Sequence, residues 1–331
     1  MLRETLIHLG QSSKARAVVT RTPLRAMARR FVPGESVDDL VRAIRQANEA
    51  GFTATGNFLG ESVHDEANAR LAGDVYLDIL DRIHAEALDA NVSLKFTALG
   101  QDVSDRFLAE NLGRLLDRAR DTDSFIRFDM ESSEYTERTL DAFEKLWTDG
   151  WRNIGVVLQS YLRRSVGDVA RMNHLGARVR LCKGAYAEPA AVAFQDRAEV
   201  DASFMDLTRL LLAEGDFPGI ATHDERMIEG TVAFAQKEGI GPDRFEFQML
   251  HGVRRDLQQQ LAADGWGMRV YIPFGTHWYP YLMRRLAERP ANMLFFAGSM
   301  VRESPLGFLW PGGKRGAEAT AEATDGAGNG A

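Results

Sequence analysis

At 331 residues with 45% hydrophobic content, the chain can bury a large core, and its length suits either two ordinary domains or one barrel-sized domain. The net charge of −7 is spread without a basic block or an aromatic-interleaved basic stripe, which argues against nucleic acid as the main partner. One cysteine, Cys182, gives no disulfide framework or cysteine-based metal set; with no leader pattern and no apolar run approaching membrane-spanning length, a cytoplasmic protein is expected.

Residues 1–35 mix short apolar pieces with arginines and read as a helical lead-in closed by Pro33 and Gly34. Ser36 can cap a helix whose apolar residues Val37, Leu40, Val41 and Ile44 fall at helical spacing. After Gly51, FTATGNFLG reads as a strand ending at Gly60 and Glu61. Helix and strand signals then alternate. Val75, Ile79 and Ile83 precede a strand from Val92 to Thr97, and Leu108, Leu112, Leu115 and Leu116 precede FIRFDMES. Leu140, Phe143 and Trp147 precede IGVVLQS, and Leu162, Val166 and Val169 precede RVRLCKGAY. Phe204, Leu207 and Leu211 lead to GIATHDE, Ile228 and Val232 to RFEFQMLHG, and Val253, Leu257 and Leu261 to MRVYIPFG. Pro273 and Gly275 break that last strand before helix formers resume at Tyr281, Met283 and Arg284.

Eight strand candidates alternating with helices imply parallel pairing, and a (β/α)8 TIM barrel is expected over residues 36–311. Residues 312–331 lack any large apolar side chain and are expected to be a disordered tail. An open doubly wound sheet fits less well, because no strand is followed by G-x-G-x-x-G and no phosphate loop is present.

In such a barrel the chemistry lies at the carboxyl ends of the strands. The polar residues there are Lys95, Asp129, Glu131, Gln159, Arg180, Lys183, Thr222, His223, Glu246, Gln248 and Tyr271. Each charge also has a structural explanation: Lys95 snorkelling from a strand end, Asp129 capping the next helix, Glu246 facing a lysine inside the barrel. Together they would cost several kcal/mol unless a ligand or partner meets them. Gly184 and Ala185 after Lys183 let a phosphate or a cofactor ring approach the backbone. His223 and Asp224 lack the neighbouring histidines that a metal set requires, so His223 is expected to hydrogen-bond a cofactor or the core. Lys95 or Lys183 would equally suit a Schiff-base aldolase, with Arg180 depressing the lysine pKa. Arg284 and Arg285, steadied by Glu288 one turn on, can grip a carboxylate or phosphate, or form a solvated basic helix face.

Seven separated motifs in order, LKFTALG, FIRFDMESSEYTE, VVLQSYL, RVRLCKGAY, ATHDERMI, FEFQMLHG and VYIPFGTHWYPYLMRRLAE, resemble the monofunctional bacterial proline dehydrogenases. The resemblance covers nearly the whole chain and departs chiefly at Cys182, where the family more often has an aliphatic residue. It implies an FAD-dependent enzyme that oxidises L-proline to (S)-1-pyrroline-5-carboxylate, the first step of proline degradation to glutamate. It also implies electron transfer to a quinone, hence peripheral contact with the inner face of the membrane. By resemblance, Asp129 and Arg180 match catalytic positions, with Arg180 also near the flavin, and Lys95, Tyr271, Arg284 and Arg285 match substrate-binding positions. Met130, Gln159, Lys183, Gly184, Ala185, Thr222 and His223 match positions that hold FAD, and Glu288 matches the glutamate after the arginine pair. An ion pair between Asp129 and Lys95 at the barrel mouth is expected to order substrate and flavin. Colourless protein would instead favour the aldolase or a module that only binds an amino acid.

Overall fold

A computed structural model describes residues 28–60 and 63–288. It divides into two compact units: residues 29–278 form one, and the described residues 28 and 279–288 fall in the other. Most of the lead-in and the whole of the 312–331 tail lie outside the described residues.

In the first unit, α1 (Val37–Glu49) begins at the expected cap, where Ser36 and Asp39 each accept from the other's backbone N–H. Its apolar stripe, Leu40, Val41, Ala43, Ile44 and Ala47, is buried. Then β1 (Thr53–Phe58), α2 (Glu66–Ala85), β2 (Ala90–Leu94), α3 (Asp105–Asp121), β3 (Ile126–Phe128) and α4 (Ser133–Thr148) follow. The alternation continues through β4 (Ile154–Gln159), α5 (Ser165–Leu175), β5 (Arg178–Cys182), α6 (Arg197–Glu214) and β6 (Gly219–Ala221). It closes with α7 (Glu225–Glu238), β7 (Glu246–Leu250), α8 (Arg255–Ala263) and β8 (Met268–Phe274). All neighbouring strands pair in parallel, and β8 returns to β1 to complete the barrel. This is a (β/α)8 fold.

Three sequence expectations shift. β2 stops at Leu94, so Lys95 lies just beyond it; Phe96 turns helical, its carbonyl accepts from both Leu99 and Gln101, and Thr97–Leu99 form a 3-10 turn. Leu162 is no part of α5, because its backbone bridges to Ala193 and its side chain joins a small satellite cluster, while Val166 is left 63% exposed. Val253 precedes α8, which starts at Arg255.

Hydrogen bonds between non-adjacent strands, such as Tyr271 to Asp129 and Arg180 to Ser93, can only run across the barrel axis. They identify the inward face, and the residues between them point outward to the helices. Val92, Leu94, Ile126, Phe128, Val156, Leu158, Val179, Leu181, Phe247, Val270 and Ile272 are all buried in one apolar cluster with the helix faces. The hydrophobic core is therefore the annulus between sheet and helices.

Candidate active site at the barrel mouth

Asp129 directly follows β3, and its N–H donates to the Leu94 carbonyl at 2.8 Å, which extends the ladder and fixes where the side chain starts. Its carboxylate accepts from Ser93 Oγ at 2.6 Å, from Arg180 Nη1 at 2.8 Å and from the Tyr271 hydroxyl at 2.7 Å. Three strands thus converge on one anion, and the ion pair formed by Asp129 is with Arg180, where the sequence suggested Lys95. Asp129 does not cap α4; Glu188 accepts there, from the Ser133 N–H and hydroxyl. Burial, then the Asp129 charge, pushes the Tyr271 phenol well above its ordinary range, so it remains a donor.

Arg180 is nearly enclosed. Its guanidinium lies 5.1 Å from the Tyr271 ring centroid, Nη1 serves Asp129 and Ser93, and Nε donates to Gln248 Oε1. Nη2 is buried and has no hydrogen-bond partner among the described residues. The same holds for Gln159 Oε1 at the end of neighbouring β4. Leaving such groups unmet costs about 1–3 kcal/mol each, so the pair marks where an external donor and acceptor fit.

Around this centre Met130 is buried and Lys95 half-buried. Gly184 has φ +113, and a Cβ there would fall 2.3 Å from the Tyr161 ring, so the backbone after Lys183 passes where only glycine fits. Thr222 is buried and its hydroxyl accepts from the Asp224 N–H at 3.1 Å. His223 Nε2 accepts from the Leu250 N–H at 2.9 Å, so that nitrogen carries no proton and the ring is tied to β7. Lys183 is bound to two carboxylates, Asp201 and Asp224, the latter at 2.9 Å. Against the upward push of burial, Lys183 holds the Asp224 carboxyl below the usual carboxylate range. Glu131 turns to the 3-10 segment, accepting from the Thr97 hydroxyl at 2.7 Å.

Sequence reasoning missed Ser93, Arg127 and Arg269. Arg269 Nε donates to Glu246 at 2.7 Å, so the partner of Glu246 is an arginine and not a lysine. Burial, then Arg180, pushes the Arg127 guanidinium down to about 9, which leaves it charged at neutral pH. The signal was present: IRFD, RVR, EFQ and RVY all set polar residues at period two within otherwise apolar strands.

Most of α9 (Trp278–Glu288) belongs to the second unit, and within that helix Arg285 lies over the Tyr281 ring at 5.3 Å. The side chains of Arg284 and Glu288 lie outside the described residues.

The family model for proline dehydrogenase matches residues 40–297. The chain belongs to the proline dehydrogenase family. It is 39% identical over 290 residues to the proline dehydrogenase of Deinococcus radiodurans, covering 86% of this chain and 93% of that one. It is 36% identical over 303 residues to proline dehydrogenase 1 of Bacillus subtilis subsp. natto, covering 92% of this chain and all (100%) of that one. Among solved structures it is similar to proline utilization A (PutA) from Bdellovibrio bacteriovorus inactivated by N-propargylglycine, with a TM-score of 0.77 and 25% identity. That alignment takes in 89% of this chain but 36% of the larger protein. As a proline dehydrogenase family member the chain is an oxidoreductase of the first step of proline degradation, and the Asp129, Arg180 and Tyr271 cluster is its candidate reaction centre.

Proposed function

We propose that the chain oxidises L-proline to (S)-1-pyrroline-5-carboxylate with FAD as the bound hydride acceptor and a quinone as the onward acceptor. The observation that carries this reading is the Asp129, Arg180 and Tyr271 cluster with two buried, unmet polar atoms on adjoining strands. Arg180 Nη2 offers a donor and Gln159 Oε1 an acceptor, which suits the mixed polar edge of a flavin ring. Met130, Thr222, His223 and the Lys183, Gly184 and Ala185 segment would complete its seat. Flavin supplies hydride acceptance, which protein side chains do not offer.

The chain's own residues then have definable tasks. Removing a hydride from the ring carbon beside nitrogen requires the nitrogen lone pair, so the amine must be neutral when it reacts. Tyr271, locked by its hydrogen bond to Asp129, presents a fixed surface to the substrate ring, and orientation of this kind lowers the entropic part of the barrier. Lys95 joins it at the substrate. Arg284 and Arg285 are assigned the proline carboxylate on their motif, since adjacent guanidiniums suit a planar anion. Quinones reside in membranes, and among the described residues no helix is long and apolar enough to cross one, so contact with the inner membrane face is peripheral in this reading. The aldolase reading loses Lys183, because its Nζ is engaged by the Asp201 and Asp224 carboxylates and is not presented to a substrate carbonyl.

Purified protein loaded with FAD should bleach when L-proline is added without air. A flavin spectrum indifferent to proline sinks the reading. Arg284→Met and Arg285→Met should each raise KM for proline about tenfold or more with a normal flavin spectrum, and an unchanged KM in both removes the clamp.

A further inference from the structure

Arg180 is held by a chain of buried side chains that runs from the reaction centre toward the opposite end of the barrel. Gln248 stands between Arg180 Nε–H, which can only donate, and the Glu246 carboxylate, which accepts from Gln248 Nε2 at 2.6 Å. An amide between an obligate donor and an obligate acceptor has one orientation. Arg269 fixes the Glu246 carboxylate in place: Nε donates to the same carboxylate oxygen at 2.7 Å, and Nη1 is anchored on the Ala54 carbonyl at 2.7 Å. Gln248 and Glu246 are 3% and 4% exposed, so water does not substitute for either link.

Space for this arm is created on the neighbouring strand. A Cβ on Gly219 of β6 would lie 2.3 Å from Gln248 Nε2 and 2.8 Å from its Cδ. Gly219 also pairs in register with both Arg180 and Glu246, so the vacant position lies between the residues that the arm connects. With Nε committed to Gln248 and Nη1 to Asp129 and Ser93, Nη2 is the guanidinium nitrogen left for a ligand.

We propose that Gln248, oriented by Glu246 and Arg269 and seated in the space left by Gly219, is a positioning residue that sets the direction of the Arg180 guanidinium. The role in turnover rests on the function proposed above; the orientation of Arg180 does not.

Gln248→Met removes the acceptor at similar length, and Gly219→Ala leaves every polar group in place but displaces the amide. Crystals of the cofactor-free variants should show the Arg180 guanidinium rotated or split between conformers. Loaded with FAD, both variants should lose about tenfold in kcat with KM for L-proline within about twofold, and the flavin midpoint potential should move to more negative values. The double variant Glu246→Gln/Gln248→Glu preserves the donor and acceptor order, since the new amide accepts from Arg269 and donates to the new carboxylate. It should return Arg180 to its original direction. An Arg180 guanidinium that keeps its wild-type orientation in both single variants overturns the proposal. Should the single variants fail to fold, a folded double variant with Arg180 displaced overturns it too. Wild-type protein that binds FAD but is not reduced by L-proline defeats the functional reading alone, and the cofactor-free crystals still judge the positioning role.

Discussion

Residues one apart on the same strands meet opposite surroundings. On β3, Ile126 and Phe128 face the helices in the apolar cluster, while Arg127 and then Asp129 face the axis. On β5 the outward pair is Val179 and Leu181, with Arg180 between them. Barrel interiors of this kind are commonly filled by branched aliphatic residues. Here the axis carries Thr55, Asn91, Ser93, Arg180, Glu246, Gln248 and Arg269, joined by directional bonds. Apolar packing in the annulus is non-directional and supplies most of the stability. Buried ion pairs add little net stability against a packed apolar alternative but cost several kcal/mol when half is removed. The inner face therefore specifies orientation, and the outer face holds the fold together.

The sharpest break in that division would come from Phe128, whose ring packs 4.6 Å from Phe96 and 6.3 Å from Phe143 on α4. Phe128→Ala should lower the unfolding free energy by about 3–5 kcal/mol in urea titrations. A loss under about 1 kcal/mol would mean that the annulus is not the main store of stability. Asp129→Asn keeps the shape of the inner face but removes its charge. We expect kcat/KM for proline to fall about 100-fold, and an unchanged rate and pH profile would take Asp129 out of the reaction.

His251, in the loop after β7, sharpens the comparison at the rim. Burial, reinforced by Arg255, pushes its imidazole down to about 4 from an ordinary 6.5. The folded state then holds the neutral ring while the unfolded state takes up a proton, so this contribution is complete above about 6.5 and is lost as pH falls toward about 4. His251→Gln should flatten the loss of unfolding free energy across that window by about 3 kcal/mol, and identical pH dependence in the two proteins would discount the burial. The smallest effect belongs to the exposed pair Arg70 and Glu110 at 2.9 Å; Arg70→Ala should change stability by less than about 1 kcal/mol.

The order of strands and helices was legible because each apolar run had its own period and its own breakers, and the (β/α)8 architecture followed from counting them. The partners of the inner face were not. Strand period shows that Arg127 and Asp129 share a face, but whether that face is the axis depends on closure. Lys183 met the same obstacle: Asp201 and Asp224, which hold it, lie 18 and 41 residues further along, on or just before helices. Charge at strand ends suggested a site hungry for a ligand, whereas most of it is satisfied within the protein. Among the described residues, the unmet groups beside the Asp129 cluster include one guanidinium nitrogen, Arg180 Nη2, and one amide oxygen, Gln159 Oε1.

Closure has a kinetic side. The seam between β1 and β8 aligns six pairs, from Thr53 with Arg269 to Phe58 with Phe274, and the Arg269 bond to Ala54 that crosses it links residues 215 apart. During synthesis β1 therefore emerges long before its partner exists, with one edge of its backbone unpaired. Contacts so distant in sequence are slow to form, because loop closure must be completed before any pairing compensates for it. Until β8 arrives, the first strand is an open parallel edge able to recruit another chain, and pairing with β8 removes this hazard.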